Sequence, residues 1–217
     1  MADTVYIDTH GTAKIACISC THSPFTPSET TEWVLSTLSD IKGLTHFGHL
    51  GDVFEASAAS VHNDSNDSGV HTLEEEYEHA HGLLSSVRSV LPPDCELWIN
   101  KGNHDANLEA QDPRRVPMRF RSLVHWTMHP EYRDEFLKWQ WIPYEKSERG
   151  VKNIGQCCFY HGFDAGLASD ELEGLQMLNC QSPAQQQTFR FMVRGHTHRP
   201  VAPTQMRRSA KVPLPYW

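Results

Sequence analysis

The chain has 217 residues, 39% of them apolar and 21% charged, with six cysteines and a net charge of −8. That length suits one well-buried core and is short for two, so a single domain over residues 1–217 is expected. No apolar run reaches bilayer length, the opening MADTVYIDTHG lacks the features of a secretory signal, and the cysteines are too sparse for a disulfide scaffold. A cytoplasmic location without membrane attachment follows as the expectation. The acidic balance gives no general attraction for nucleic acid, although a bound cation can still recruit a phosphorylated ligand locally.

Five short apolar runs read as buried strands, and each ends in metal-competent polar residues. The first is KIACIS, running into Cys20-Thr21-His22. Thr26-Pro27-Ser28-Glu29 then reads as a capping box with proline at the first helical position, followed by Val34, Leu35, Leu38 and Ile41 at helical spacing. LTHFGHL leads into Gly51-Asp52, and the polar stretch ASAASVHNDSNDSG reads as a loop. A second helix is expected over residues 73–91, with Leu73, Tyr77, Ala80, Leu84, Val87 and Leu91 on one face. CELWIN ends at Lys101-Gly102-Asn103-His104-Asp105. EYRDEFLKWQWIPYEK reads as a helix closed by Pro143. GQCCFY ends at His161-Gly162, and TFRFMV ends at Arg194-Gly195-His196-Thr197-His198.

Alternating strands and helices predict an α/β domain, in which the loops beyond the carboxyl ends of the strands meet at one edge. His22, Asp52, Asn103, His104, His161, His196 and His198 would then converge, with Gly51, Gly102 and Gly195 allowing sharp turns beside them. Imidazole, carboxylate and amide ligands suit Zn, Mn or Fe(II). Two such ions form a clamp for phosphoester hydrolysis.

GDVFE, GNHD, HG and GHTH, in this order and each behind a strand, resemble the motifs of the calcineurin-like metallophosphoesterases, over roughly residues 14 to 200. The resemblance implies a four-layer αββα sandwich holding two divalent metal ions (Mn, Zn or Fe). By position, Asp52 would bridge the ions, and Asn103, His161 and His196 would complete one site. His22, His198 and residue 20 would serve the other. A hydroxide between the ions would be the nucleophile and His104 the leaving-group acid, held by Asp105, with Arg199 beside the phosphate. The substrate implied is a small phosphomonoester or phosphodiester, nucleotides included, and the oligomeric state is left open. The arginines of the protein-phosphatase branch are missing, His104 stands where lipid-precursor hydrolases have arginine, and the extra DNA-binding domain of nuclease-type members is not expected here. The layout is most similar to small stand-alone phage and bacterial members, although the family has another strand or two where this chain stops soon after GHTHRP.

The departure from the family is Cys20, which stands where aspartate is usual. It ligates metal as thiolate, or it is a small filler beside a weak or empty site, or the intact Asp8-x-His10 is the true motif. The last reading leaves KIACIS without a function and lengthens the gap to Asp52. If the first site has lapsed, the alternative is a metallophosphoesterase fold kept as a metal-binding or interaction module. Other residues have ordinary readings. Cys157, Cys158 and the Trp126, Trp139, Trp141 group belong to the core, His46 and His49 to a strand, and Glu55 supports the ligands.

Overall fold

The computed structural model describes residues 5–9, 13–56, 58–59, 71–109, 125–164 and 169–198. The fold is mixed α/β. Strands β1 (Val5–Thr9), β2 (Ala13–Ile18), β3 (His46–His49), β4 (Glu96–Asn100) and β5 (Gln140–Ile142) form one sheet in chain order. β2 to β5 run parallel, and β1 is an antiparallel edge. A second sheet contains β6 (Lys152–Ile154), β7 (Cys157–Tyr160) and β8 (Phe191–Arg194), with β7 and β8 parallel. Parallel neighbours need crossovers, and helices supply them. α1 (Ser28–Asp40) joins β2 to β3, and α2 (Leu73–Val90) lies between β3 and β4. The short α3 (Asn103–Asn107) follows β4, and α4 (Pro130–Phe136) precedes β5. α5 (Ser169–Asn179) and α6 (Pro183–Thr188) lie between β7 and β8.

Side chains alternate along a strand, so each parallel strand feeds two apolar layers. Ile15 and Cys17 of β2 and Trp98 of β4 meet Ile154, Cys157 and Phe159 between the two sheets. Ala16, Ile18, Phe47 and Ile99 face the other way, onto Val34 and Leu38 of α1, Tyr77, Leu84 and Val87 of α2, and Phe136 of α4. On the far side of the second sheet, Cys158 and Tyr160 pack on Met177 and Leu178 of α5. Burial on both faces explains why β2, β3, β4 and β7 read as apolar runs. β8 forms where TFRFMV predicts a strand, but it is not the buried strand expected: Phe191 is exposed and Met192 to Arg194 are half-buried. Buried Asn100 links the sheets at the edge that carries the site: its Oδ1 accepts from Trp98 Nε1 at 2.9 Å and its Nδ2 donates to Phe159 O at 3.2 Å. Among the described residues, no helix is long and apolar enough to cross a membrane.

All five expected strands form, and α2 spans nearly the expected range. Two local expectations are corrected. α1 begins at Ser28 rather than at Pro27, whose backbone is extended (ψ 146°), and no side chain caps it. Thr26, the expected cap, donates its hydroxyl to Thr21 O instead. Reciprocal capping boxes form at Thr72/Glu75 and Ser182/Gln185. The helix expected to close at Pro143 ends at Phe136, and Pro143 instead follows β5. Trp141 joins the helix-side core and Ile142 the layer between the sheets, a two-residue period that no helix satisfies.

Glu76 is buried in α2 directly behind the β3–α2 loop. Its Oε2 accepts the Ala56 N–H at 2.6 Å, and its Oε1 has no partner. Burial, with added repulsion from Glu55 and Asp105, outweighs the Ala56 hydrogen bond and pushes its pKa from 4.5 up to about 8. Between those values the unfolded chain has lost a proton that the folded chain keeps, so stability falls as pH rises. Glu76→Gln keeps an oxygen for Ala56 and removes the titration. From pH 5.5 to 7.5 the variant should gain on the wild type by up to ~1.4 kcal/mol per pH unit in urea unfolding. Parallel pH profiles would refute this assignment.

Candidate metal centre

Parallel strands deliver the loops after β2, β3, β4, β5, β7 and β8 to one edge. The first two are laced together: Cys20 N–H donates to Gly51 O at 2.9 Å, His22 N–H to Asp52 O at 2.9 Å and Ser23 N–H to Val53 O at 2.8 Å. Backbone strain concentrates here. Among the described residues, positive φ in a non-glycine residue occurs at Cys20 (55°), His22 (44°), Asp52 (54°), Ala56 (47°), His196 (78°) and His198 (51°). All but Ala56 are candidate ligands, and left-handed backbone in such residues persists only where the surroundings enforce it. Gly51 shares this conformation (φ 92°). Gly102 and Gly195 do not; there the constraint is space, because a Cβ would strike Asp52 Oδ1 or Ser19 Oγ.

Two donor sets share Asp52. In the first, His161 Nδ1 lies 2.6 Å from Leu50 O and must donate its proton to that carbonyl. Its Nε2 then turns a lone pair towards Asp52 Oδ2 (3.1 Å), His196 Nδ1 (3.1 Å) and Asn103 Oδ1 (3.2 Å). In the second, His22 Nδ1 is 2.8 Å from Glu55 Oε2, so its Nε2 faces His198 Nε2 at 3.1 Å and Asp52 Oδ2 at 3.7 Å. Cys20, His22, Asp52 and His198 each place a ligand atom within 4.8 Å of the others, as do Asp52, His161 and His196. Outer hydrogen bonds that fix the imidazole tautomer are the usual support of a metal ligand. Inward-facing lone pairs of this kind can be satisfied only by protons or by cations.

In the chain alone, protons satisfy them. Burial disfavours the charged form of His22, but Cys20 and Glu55 accept from it and the charge of Asp52 adds to them, so its pKa rises to about 10. His161 also rises despite burial, because it pairs with Asp52. The same imidazoles hold Asp52 far below the ordinary carboxylate range, against the effect of its burial.

Cys20 sits among donors. Its Sγ lies 3.0 Å from Ser19 Oγ and accepts the His196 N–H at 3.2 Å. Burial alone would raise the thiol's pKa, but hydrogen bonding with His198, His22 and Ser19 and the charge of His161 lower it to about 6. The reading that placed the motif at Asp8 fails on topology. β1 is antiparallel to β2 with Asp8 opposite Lys14, so its backbone lies at the amino end of β2, away from the edge that carries Cys20. His10 lies outside the described residues, as do Arg199 and the segment after GHTHRP.

His104 follows Asn103 into this edge. Its backbone N–H donates to Asp52 Oδ1 at 3.0 Å, and its Nδ1 donates to Glu55 O at 2.7 Å, leaving Nε2 without a hydrogen-bond partner among the described residues on a partly exposed ring. Asp105 does not hold His104 as expected. Its buried carboxylate accepts the N–H groups of Gly102 (2.8 Å), Asp52 (2.9 Å) and Phe54 (3.0 Å), so it fixes the loops instead. Burial and the charge of Asp52 raise its pKa to about 6.

Three supporting residues escape a reading by strand ends. Ser19 touches the sulfur, Glu76 holds Ala56, and His49 ties the two laced loops together. His49 Nδ1 accepts the Gly51 N–H at 3.2 Å and its Nε2 donates to Thr21 Oγ1 at 2.9 Å, while burial keeps it neutral, with a pKa of about 3. The one sequence signal for it is a histidine within an apolar run directly before Gly-Asp. No protein-family model, curated protein or solved structure matches the chain.

Proposed function

We propose that the chain is a calcineurin-like metallophosphoesterase, a four-layer αββα sandwich that hydrolyses a small phosphomonoester or phosphodiester with two divalent cations (Mn, Zn or Fe). The observation that supports this most is the pair of lone-pair-lined donor sets meeting at Asp52 Oδ2. Asp52, Asn103, His161 and His196 would hold one ion, and Asp52, Cys20, His22 and His198 the other. When bound, such ions polarise phosphoryl oxygens and lower the pKa of water. The chain supplies the rest. Leu50 O and Glu55 Oε2 hold the tautomers of His161 and His22, and Asp105 fixes the loop backbones beneath them. Glu55 O holds the proton of His104 at Nδ1, so that a second proton, at Nε2, is available to a leaving oxygen.

Reconstitution with Mn or Zn, elemental analysis and assay with p-nitrophenyl phosphate and bis(p-nitrophenyl) phosphate test this reading. Two ions per chain and turnover of at least one ester are expected. Two bound ions without turnover of any phosphoester would overturn it. The substitution at Cys20 favours a second reading, in which the chemistry has lapsed and the fold serves as a metal-binding or interaction module. One ion per chain and no turnover would support that alternative.

A further inference from the structure

Tyr144 lies two residues beyond β5, on the same edge as the candidate ligands. Lys101 N–H donates to Ile142 O at 2.8 Å, which sets the end of β5 directly beside the Gly102–Asn103–His104 loop. The Tyr144 ring meets the His161 imidazole edge-on, with centroids 6.0 Å apart and planes at 69°. It also stacks on Phe163, at 4.6 Å and 26°. Lys146 Nζ caps Phe163, 5.1 Å from the ring centroid, and pairs with Asp164 at 3.3 Å. The backbone beneath is fixed as well: Phe163 and Asp164 donate their N–H groups to the buried Glu173 carboxylate at 3.0 and 2.8 Å, and Arg194 pairs with the same group. The phenol is thus held against a candidate ligand on a closed aromatic stack, as a group positioned to act would be. Its hydroxyl nevertheless forms no hydrogen bond among the described residues, on a side chain that is only half-buried.

We propose that Tyr144 is a substrate-binding residue, its O–H donating to a phosphoryl oxygen on the His161 side of the centre. This rests on the phosphoesterase reading and adds to it a donor that the motifs do not contain. A neutral phenol offers one directed hydrogen bond, and an anionic oxygen is the acceptor that makes such a bond strong.

Tyr144→Phe keeps the ring, the stack and the His161 contact and removes only the donor. Inorganic phosphate, titrated calorimetrically into the metal-loaded wild type and variant, is the probe. Phosphate should bind the variant roughly ten- to a hundredfold more weakly, at unchanged metal content, as expected for a lost hydrogen bond to a charged group. Equal affinities would overturn the inference, and so would a metal-loaded wild type that does not bind phosphate. If affinity differs but neither protein hydrolyses an ester, the hydrolase reading falls and with it the substrate role, and Tyr144 remains a phosphate-binding residue only. If both hydrolyse esters and bind phosphate alike, the hydrolase reading stands and the role of Tyr144 falls.

Discussion

If the proposed two-metal hydrolase reading holds, Asp52→Asn is expected to lower phosphoester hydrolysis by roughly a thousandfold or more and to leave at most one bound metal ion per chain. Asp52 Oδ1 accepts the His104 N–H, so an asparagine would keep its carbonyl oxygen there and put its NH2 group where Oδ2 was. That group would point N–H donors at the place where His161 Nε2 and His22 Nε2 converge, replacing a shared ligand with a repelling one. The metal-free fold should tolerate the change, because the new amide can donate to His161 Nε2. The variant should therefore be folded by circular dichroism but bind metal weakly, with kcat/KM lowered on the order of a thousandfold or more, equivalent to about 4 kcal/mol. Two tightly held ions in the variant, with turnover near wild type, would show that Asp52 is not the shared ligand.

The edge of the sheet was legible because β2, β3, β4 and β7 are buried on both faces, which makes each an apolar run with an abrupt polar end. β8, half-buried with Phe191 exposed, shows the same run without that burial. Topology then does what distance in sequence cannot: it brings residues 20 and 196 into contact, with the His196 N–H on Cys20 Sγ. Spacing in the sequence favours Cys20 over Asp8, and the antiparallel register of β1 gives the physical ground. What stayed illegible depends on single hydrogen bonds. Thr26 has the right type and spacing to cap α1, yet the Thr21 carbonyl takes its hydroxyl. Asp105 stands next to His104 in sequence, but burial among three backbone N–H groups turns it away from the imidazole, and a carbonyl of the β3–α2 loop takes its place. Gln140 to Ile142 form a strand rather than the expected helix because Trp141 and Ile142 feed opposite core layers, and a short window cannot reveal that.

Replacing Cys20 should change which metals the second donor set accepts, rather than merely weaken it. A site of two imidazoles, one thiolate and a shared carboxylate prefers Zn and other thiophilic ions, whereas the Asn103, His161, His196 set is harder and tolerates Mn. Wild-type protein loaded with Co(II) should show a sulfur-to-metal charge-transfer band in the near ultraviolet, absent in Cys20→Ser. Cys20→Asp should shift the preference of that site from Zn towards Mn by roughly tenfold or more. The pH dependence has a definite sign. The thiol's pKa is lowered to about 6, so below that value its proton adds to the competition with metal and uptake should weaken more steeply as pH falls through it. With aspartate at this position that added competition moves to lower pH. Binding near neutrality should also release protons, because His22, with a pKa of about 10, must give one up to become a ligand. If the Co(II) protein lacks the sulfur band and Cys20→Asp leaves the Zn-to-Mn preference unchanged, Cys20 is a filler beside the site rather than part of it. Hydrolysis by Cys20→Asp where the wild type has none would instead identify a lapsed enzyme, one ligand away from activity.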